Sequence, residues 1–291
     1  MFTALASPYL VPFDGGFRRE HFPTTAPDND LDGKDYRRML SGLADEMDDL
    51  QRRLYAADSY ALLLIFQGMD AAGKDSTIRA VLSGIDPAGC DSHSFKRPSM
   101  EELSHDFLWR TTVRLPGRGR IGIFNRSYYE EVLAVRVHKE LLAAQRLPGR
   151  PDHARLWGER MESINDHERH LARNGTVILK FWLNVSKKEQ RKRFLSRIDV
   201  PHKNWKFSEA DVHERAYWDH YMDAYQQALA ATSREWAPWY AIPADDKPYM
   251  HHCVADLIVQ SLRSLGLTYP RIDAEQEKKL QKMRKLLDKE E

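Results

Sequence analysis

Ala61-Leu62-Leu63-Leu64-Ile65-Phe66-Gln67-Gly68-Met69-Asp70-Ala71-Ala72-Gly73-Lys74-Asp75-Ser76-Thr77 is the stretch that decides how this chain folds. Its uncharged apolar run reads as a buried strand, Gly68 and Gly73 bracket a tight turn, and Asp75 to Leu82 suits a helix. A strand, a glycine-rich turn and a helix start together make an anion cradle, because several backbone N–H groups converge on one point. The backbone of Gly68, Met69, Ala71, Ala72, Gly73, Asp75 and Ser76 is expected to line the cradle, and Lys74 adds a compact positive charge. Asp75 stands where such a loop usually carries a metal-binding Ser or Thr, and Asp70 lies inside the loop itself. A carboxylate in a phosphate cradle repels its own ligand unless a cation lies between them. Asp70 therefore reads as a metal-side residue, directly or through water. The plainer alternative is an Asp that caps the following helix.

Bulk composition narrows the class. The chain has 291 residues, 42% hydrophobic and 30% charged, which suits a soluble globular protein with one large domain or two small ones. A net charge of +1 gives no global field toward nucleic acid or an anionic membrane, so neither is expected as a partner. Two cysteines, Cys90 and Cys253, make no disulfide framework and fit a reducing cytoplasm. The first thirty residues lack an apolar signal core, and no apolar run is long enough to span a bilayer. His167-Glu168-Arg169-His170 is one residue short of the zinc-protease spacing, and no zinc site is expected.

Along the chain, strand and helix signals alternate. Residues 1–34 form an irregular arm rich in Pro, Gly and Asp. Tyr36, Leu40, Leu43, Met47, Leu50 and Leu54 then step by four and three, predicting a long amphipathic helix over 35–57 that packs on its own domain or, as a lesser alternative, against another subunit. Strands are expected at 61–67, 92–95, 119–125, 176–185 and 239–243. Helices are expected over 100–112, up to 137, and over 152–173, 211–233 and 247–265. This order predicts an α/β domain at 35–270 with a parallel five-stranded sheet flanked by helices. Residues 271–291 read as a charged helix or a disordered extension.

Two further stretches carry chemistry. Ile123-Phe124-Asn125-Arg126-Ser127-Tyr128-Tyr129-Glu130 ends a strand in polar residues. Strand ends on the carboxyl edge of such a sheet face the ligand crevice, which places Asn125 and Arg126 for a phosphate and its metal. Arg126 offers a fork of donors to phosphate oxygens, and Glu130, about one turn on, suits metal-bound water or an incoming nucleotide. The second stretch, residues 186–207, holds eight Lys or Arg against only Glu189 and Asp199. Arg193 and Arg197 are one turn apart and share a face, while Phe194 and Ile198 are expected to face the core. A basic segment after a strand, followed by Pro201 and an irregular stretch, suits a lid over about 186–210 that closes on a polyanion and excludes water. Arg191, Arg193, Arg197 and Lys206 would gather the anion, with Arg193 expected to serve closed-state catalysis more than stability.

Gly68-Met-Asp-Ala-Ala-Gly-Lys-Asp-Ser-Thr77, Phe124-Asn-Arg-Ser-Tyr-Tyr-Glu130, Leu179-Lys-Phe-Trp-Leu-Asn-Val-Ser-Lys-Lys-Glu-Gln190 and Ala237-Pro-Trp-Tyr-Ala-Ile-Pro-Ala-Asp-Asp-Lys247 together resemble polyphosphate kinase family 2. The resemblance runs from about residue 35 to about 270. It implies a P-loop kinase fold with a Walker A loop and a helical lid, related to nucleoside-monophosphate kinases. It also implies Mg²⁺-dependent transfer of the terminal phosphoryl of inorganic polyphosphate to a nucleotide, with Mn²⁺ as a substitute metal, and assembly into homodimers or homotetramers. Asn125, where many members carry Asp, resembles the class that phosphorylates both nucleoside mono- and diphosphates, which implies AMP and ADP as acceptors, with GDP beside them and ATP as a product. Catalysis is then expected to rest on Asp70, Lys74, Asn125, Arg126, Glu130 and Arg193, with Asp70, Asn125 and Glu130 toward the metal. The rivals are an ATP-dependent nucleoside-monophosphate kinase, which shares loop and lid, and a non-catalytic polyanion-binding module.

Overall fold

The frame of the molecule is a five-stranded, wholly parallel sheet in the order β2-β3-β1-β4-β5. It is seen in a computed structural model that describes residues 2–149 and 152–290. Met1 and Glu291, the outer limits of the expected arm and tail, lie outside the described residues. The strands are β1 (Ala61–Gln67), β2 (Cys90–Ser94), β3 (Ile121–Asn125), β4 (Thr176–Asn184) and β5 (Trp239–Pro243). The helices, in chain order, are α1 (Gly33–Ala57), α2 (Lys74–Val81), α3 (Trp109–Thr112), α4 (Ala134–Val137), α5 (Lys139–Ala143), α6 (His153–Arg173), α7 (Lys187–Asp199), α8 (Glu209–His213), α9 (Trp218–Thr232), α10 (Lys247–Ser264) and α11 (Ala274–Leu287).

β1 is central because every one of its residues is apolar or fully enclosed, as a strand covered on both faces requires. It pairs with β3 through Leu62–Ile121 to Phe66–Asn125, and with β4 through Ala61–Thr176 to Gln67–Trp182. That register brings the ends of β1, β3 and β4 to one edge of the sheet.

α1 begins two residues earlier than its apolar stripe suggests, because Asp32 and Asp35 form a reciprocal capping box. Its Tyr36, Met47, Leu50 and Leu54 are buried and the helix packs along α10, while Leu40 and Leu43 of the same stripe are half-buried. Helix 100–112 is broken: only a turn at Glu102–Ser104 and α3 form, since Asp106 turns its carboxylate onto the Leu108 amide instead. Helix 211–233 likewise becomes α8, a tight turn at Glu214–Tyr217 and then α9. The arm is irregular yet anchored. Val11 and Phe17 are fully buried, and the Tyr9 carbonyl accepts from the Ala241 amide along the outer edge of β5. No helix among the described residues is long and apolar enough to cross a membrane.

Candidate active site

Gly68 and Gly73 make the turn between β1 and α2 possible. Gly73 has φ +116°, and a side chain there would press on Met250 Cε at 3.0 Å and Ser76 Oγ at 3.3 Å. Between them Ala71 also takes a left-handed conformation, φ +61°. The first amides of α2 open at this turn, and Ser76 and Thr77 hydroxyls tie back to the Gly73 carbonyl at 2.8 and 3.0 Å. Lys74 folds over the loop and donates to the Gly68 carbonyl at 2.6 Å and that of Met69 at 3.2 Å. Burial pushes its ammonium down to about 8, helped by the Arg126 charge and opposed by Asp70, Glu130 and Asp75.

The end of β3 completes the cradle. Arg126 is held in a left-handed conformation, φ +64°, with its amide bonded to the Phe66 carbonyl of β1 at 3.0 Å. Its guanidinium donates to Asp70 Oδ1 at 2.6 Å and to Glu130 Oε2 at 3.1 Å. Glu130 and Asp70 hold this guanidinium well above its ordinary pKa despite its burial. Asn125 Nδ2 donates to Asp75 Oδ1 at 2.6 Å, which ties the end of β3 to the start of α2. Asp70 thus serves neither as a helix cap nor as an isolated loop charge: it is the partner of Arg126.

These groups sit at the floor of a cleft of about 1380 Å³. Because β2 and β4–β5 flank β1 on opposite sides, the cleft has two unlike walls. On the α7 and α10 side stand Arg193, Arg197, Lys203, Lys206 and Lys247. On the β2, α4 and α5 side an apolar patch of Phe95, Leu103, Ala134, Val135, Leu141 and Ala144 is bordered by Lys96, Arg97 and Arg110 and by Glu131, Glu140 and Gln145. Burial, with Arg193 and Lys203 nearby, lowers the pKa of Lys247.

Of the residues singled out from sequence, Asp70, Ala71, Gly73, Lys74, Asp75, Ser76, Asn125, Arg126, Glu130, Arg193, Arg197 and Lys206 all line this cleft. Gly68, Met69 and Ala72 lie behind its surface as loop backbone. Arg191 is exposed on another face of α7 and does not line it. Arg193 is not a free cation. It donates to the carbonyls of Ala71, Ala72, Ala244 and Asp245 at 2.6–3.2 Å and pairs with Glu189. Ile198 is about half exposed rather than core-facing, because only the Phe194 side of α7 meets the body. Lys247 was missed, although it opens α10 directly after the carboxyl end of β5.

The donor set suits a hard divalent cation. Asp70, Asp75, Asn125 and Glu130 offer oxygen only, while among the described residues no three His, Cys, Asp or Glu stand close enough to hold a metal alone. Mg²⁺ typically takes one or two carboxylates and completes its shell with water and substrate phosphates, so these residues fit it.

Comparison with known proteins places this geometry. The family Polyphosphate kinase 2 matches residues 30–266. An ADP-polyphosphate phosphotransferase of Rhodopseudomonas palustris is 54% identical over 253 residues, 87% of this chain and 88% of that protein. An AMP/ADP-polyphosphate phosphotransferase of Meiothermus ruber is 41% identical over 271 residues, 93% and 97% of the two chains. The crystal structure of Polyphosphate Kinase 2 from Arthrobacter aurescens TC1 superposes with a TM-score of 0.85 at 38% identity, covering 96% of this chain and 98% of that one. The cradle, the Arg126 turn and the basic wall all fall inside the matched residues, and the chain belongs to the Polyphosphate kinase 2 family.

Proposed function

We propose that this chain transfers the terminal phosphoryl group of inorganic polyphosphate to ADP, reversibly, forming ATP, with AMP and GDP as further acceptors. The observation that carries this is the pair of unlike walls meeting over Lys74, Asp70 and Arg126. A polyanionic donor suits the row of cations on α7 and α10, a nucleotide suits the opposite wall, where an apolar patch lies beside Lys96, Arg97 and Arg110, and the group in transit suits the cluster between them. The names borne by the relatives from R. palustris and M. ruber support the same substrates.

Transfer of this kind needs alignment and charge neutralisation rather than covalent chemistry. Lys74 would exchange the Gly68 and Met69 carbonyls for phosphate oxygens, and the amides at the start of α2 would bind the same group. Arg126, steadied by Glu130, would hold the phosphoryl in line. A nucleotide phosphate is already ionised, so no strong base is needed. Asp70, with Asn125 or Glu130, would hold Mg²⁺ or Mn²⁺, which when bound supplies further neutralisation between phosphate oxygens. Arg197, Lys203 and Lys206 would gather the chain from a lid over about 186–210, and lid closure would keep water from accepting the phosphoryl. Arg193 would act by fastening that lid to the loop. Assembly into homodimers or homotetramers belongs to the same proposal.

Incubation with ADP, Mg²⁺ and polyphosphate in the absence of ATP should yield net ATP, repeated with AMP and GDP for acceptor range. ADP formed from AMP only when ATP is supplied would identify a nucleoside-monophosphate kinase instead. Polyphosphate binding with no turnover under any nucleotide would leave a polyanion-binding module.

A further inference from the structure

Beneath the Arg126 turn lies a buried ion pair that phosphoryl chemistry does not call for. Lys180 of β4 and Glu168 of α6 have no solvent exposure and meet at 2.6 Å. Glu168 Oε1 accepts from the hydroxyls of both Tyr128 and Tyr129, each at 2.9 Å. Lys180 Nζ donates to Tyr129 Oη at 2.9 Å and to the Thr232 carbonyl at 2.7 Å. All three ammonium donors are therefore spent inside the protein.

A buried ion pair is a weak device for stability alone, since its desolvation offsets much of its attraction and an apolar replacement is often neutral. Its connections are more informative. Tyr128 and Tyr129 lie within the short turn that runs from Arg126 to Glu130, the two residues whose side chains meet over the cleft. Thr232 is the last residue of α9, whose final turn carries no basic side chain of its own; Lys180 supplies a cation at that carbonyl end, beside Arg234, which donates to the Ala231 carbonyl at 2.8 Å. α9 is in turn the helix into which the basic segment runs, through residues 200–217. One network thus grips, from below, the turn that presents Arg126 and the carboxyl end of α9, the helix whose amino end the basic segment joins.

We propose that Lys180 and Glu168 are positioning residues: they lock the Arg126–Glu130 turn and the carboxyl end of α9 into one relation, so that Arg126 faces Lys74 across the cradle. In its kinetic part this rests on the phosphotransferase function proposed above. Burial lowers the Lys180 pKa, against the pull of Glu168.

Two double variants test it. Tyr128→Phe with Tyr129→Phe keeps both rings and the ion pair but frees the turn from it. The expected result is a kcat about tenfold or more lower with KM for polyphosphate changed less than about threefold. Amide hydrogen exchange over residues 125–131 should accelerate about tenfold while β1 is unchanged. Glu168→Leu with Lys180→Met removes both charges together and should lose a similar share of kcat, with a lowered unfolding temperature because both tyrosine hydroxyls and the Thr232 carbonyl lose their partners. Parental kcat in either folded variant, or unchanged exchange over 125–131 in the Phe pair, would overturn the proposal. A parent with no turnover would reject the phosphotransferase function instead, and the exchange measurement would still decide the positioning role.

Discussion

The turn after β1 and the helix after β4 both carry cations to the same cleft, yet they are built in opposite ways. The turn hangs from a strand with no exposed residue, and its Lys74 and Asp70 are bonded on arrival. In α7 and the stretch behind it, Leu195, Ile198, Trp205 and Phe207 face outward, with Trp205 78% exposed. Among the described residues, polar fasteners tie that segment to the body through Arg193 on the loop carbonyls, Gln190 on the Asp70 carbonyl and the Ser186 amide on Asp245, while Arg197 reaches only as far as Asp211 of α8. Under the proposed function, the groups that would meet reacting atoms are fixed by buried strands, whereas those that would collect a long anion sit on a segment with several outward-facing apolar side chains. Such weakly packed segments are the ones proteins open and close.

Breaking the fixed side should cost most. Lys74→Ala should lower kcat about a thousandfold, the scale of removing a preorganised charge from a transition state, without lowering the unfolding temperature. Asp70→Ala should cost about a hundredfold, since it also releases Arg126. A steady-state assay beside thermal unfolding checks both, and near-parental turnover in either would separate the cradle from the chemistry. Arg193→Ala stands between the two regions. Its four carbonyl contacts in a nearly buried place predict a loss of about 2–3 kcal/mol in denaturant unfolding, alongside weaker catalysis. The basic run by itself gave the opposite expectation, a residue that serves closure more than the fold.

Smaller changes sharpen the contrast. Lys206→Ala should raise the polyphosphate KM roughly threefold at low salt and leave kcat near the parent, because an exposed cation is screened and replaceable. Lys74 also predicts a pH signature. Its pKa is depressed from 10.5 to about 8, so the empty cradle loses positive charge as pH rises through that value. Affinity for tripolyphosphate, measured by calorimetry, should then fall by up to about tenfold per pH unit above it, and Lys74→Ala should flatten the profile. The sign for folding is the reverse. Between about 8 and 10.5 the unfolded chain keeps a proton the folded one has shed, so this group alone makes stability rise with pH there.

What could be read from the chain follows the same division. β1, the glycine turn and α2 were legible because burial on both faces demands a continuous apolar run and a tight turn demands glycine. β3 ending at Asn125 was legible as a polar residue on a carboxyl edge. The partners of these residues were not. Nothing in spacing shows that Asp70 reaches Arg126 fifty-six residues away, or that Arg193 spends its donors on backbone carbonyls. Glu168 and Lys180 were hidden for a related reason: on a helix and a strand each reads as an ordinary surface charge until the sheet closes over both. The broken helices at 100–112 and 211–233 show local side-chain bonds and tertiary pull overriding a good periodic pattern.

The mildest expected effect belongs to the exposed tip of the basic segment. Trp205 touches little beyond its own neighbours, Lys206 lying over its ring at 4.9 Å. Trp205→Ser should shift unfolding free energy by no more than about 0.5 kcal/mol. Phe66→Ala in β1, by contrast, should cost about 3–5 kcal/mol, because Phe66 is fully buried and stacked on Phe181. If the tip closes over bound polyphosphate, Trp205 fluorescence should change on adding tripolyphosphate to the parent and to Lys74→Ala, though at higher concentration in the variant. A Trp205→Ser loss approaching that of Phe66→Ala would mean this tip is packed in solution, and the division between a fixed cradle and a loosely held collector would fail.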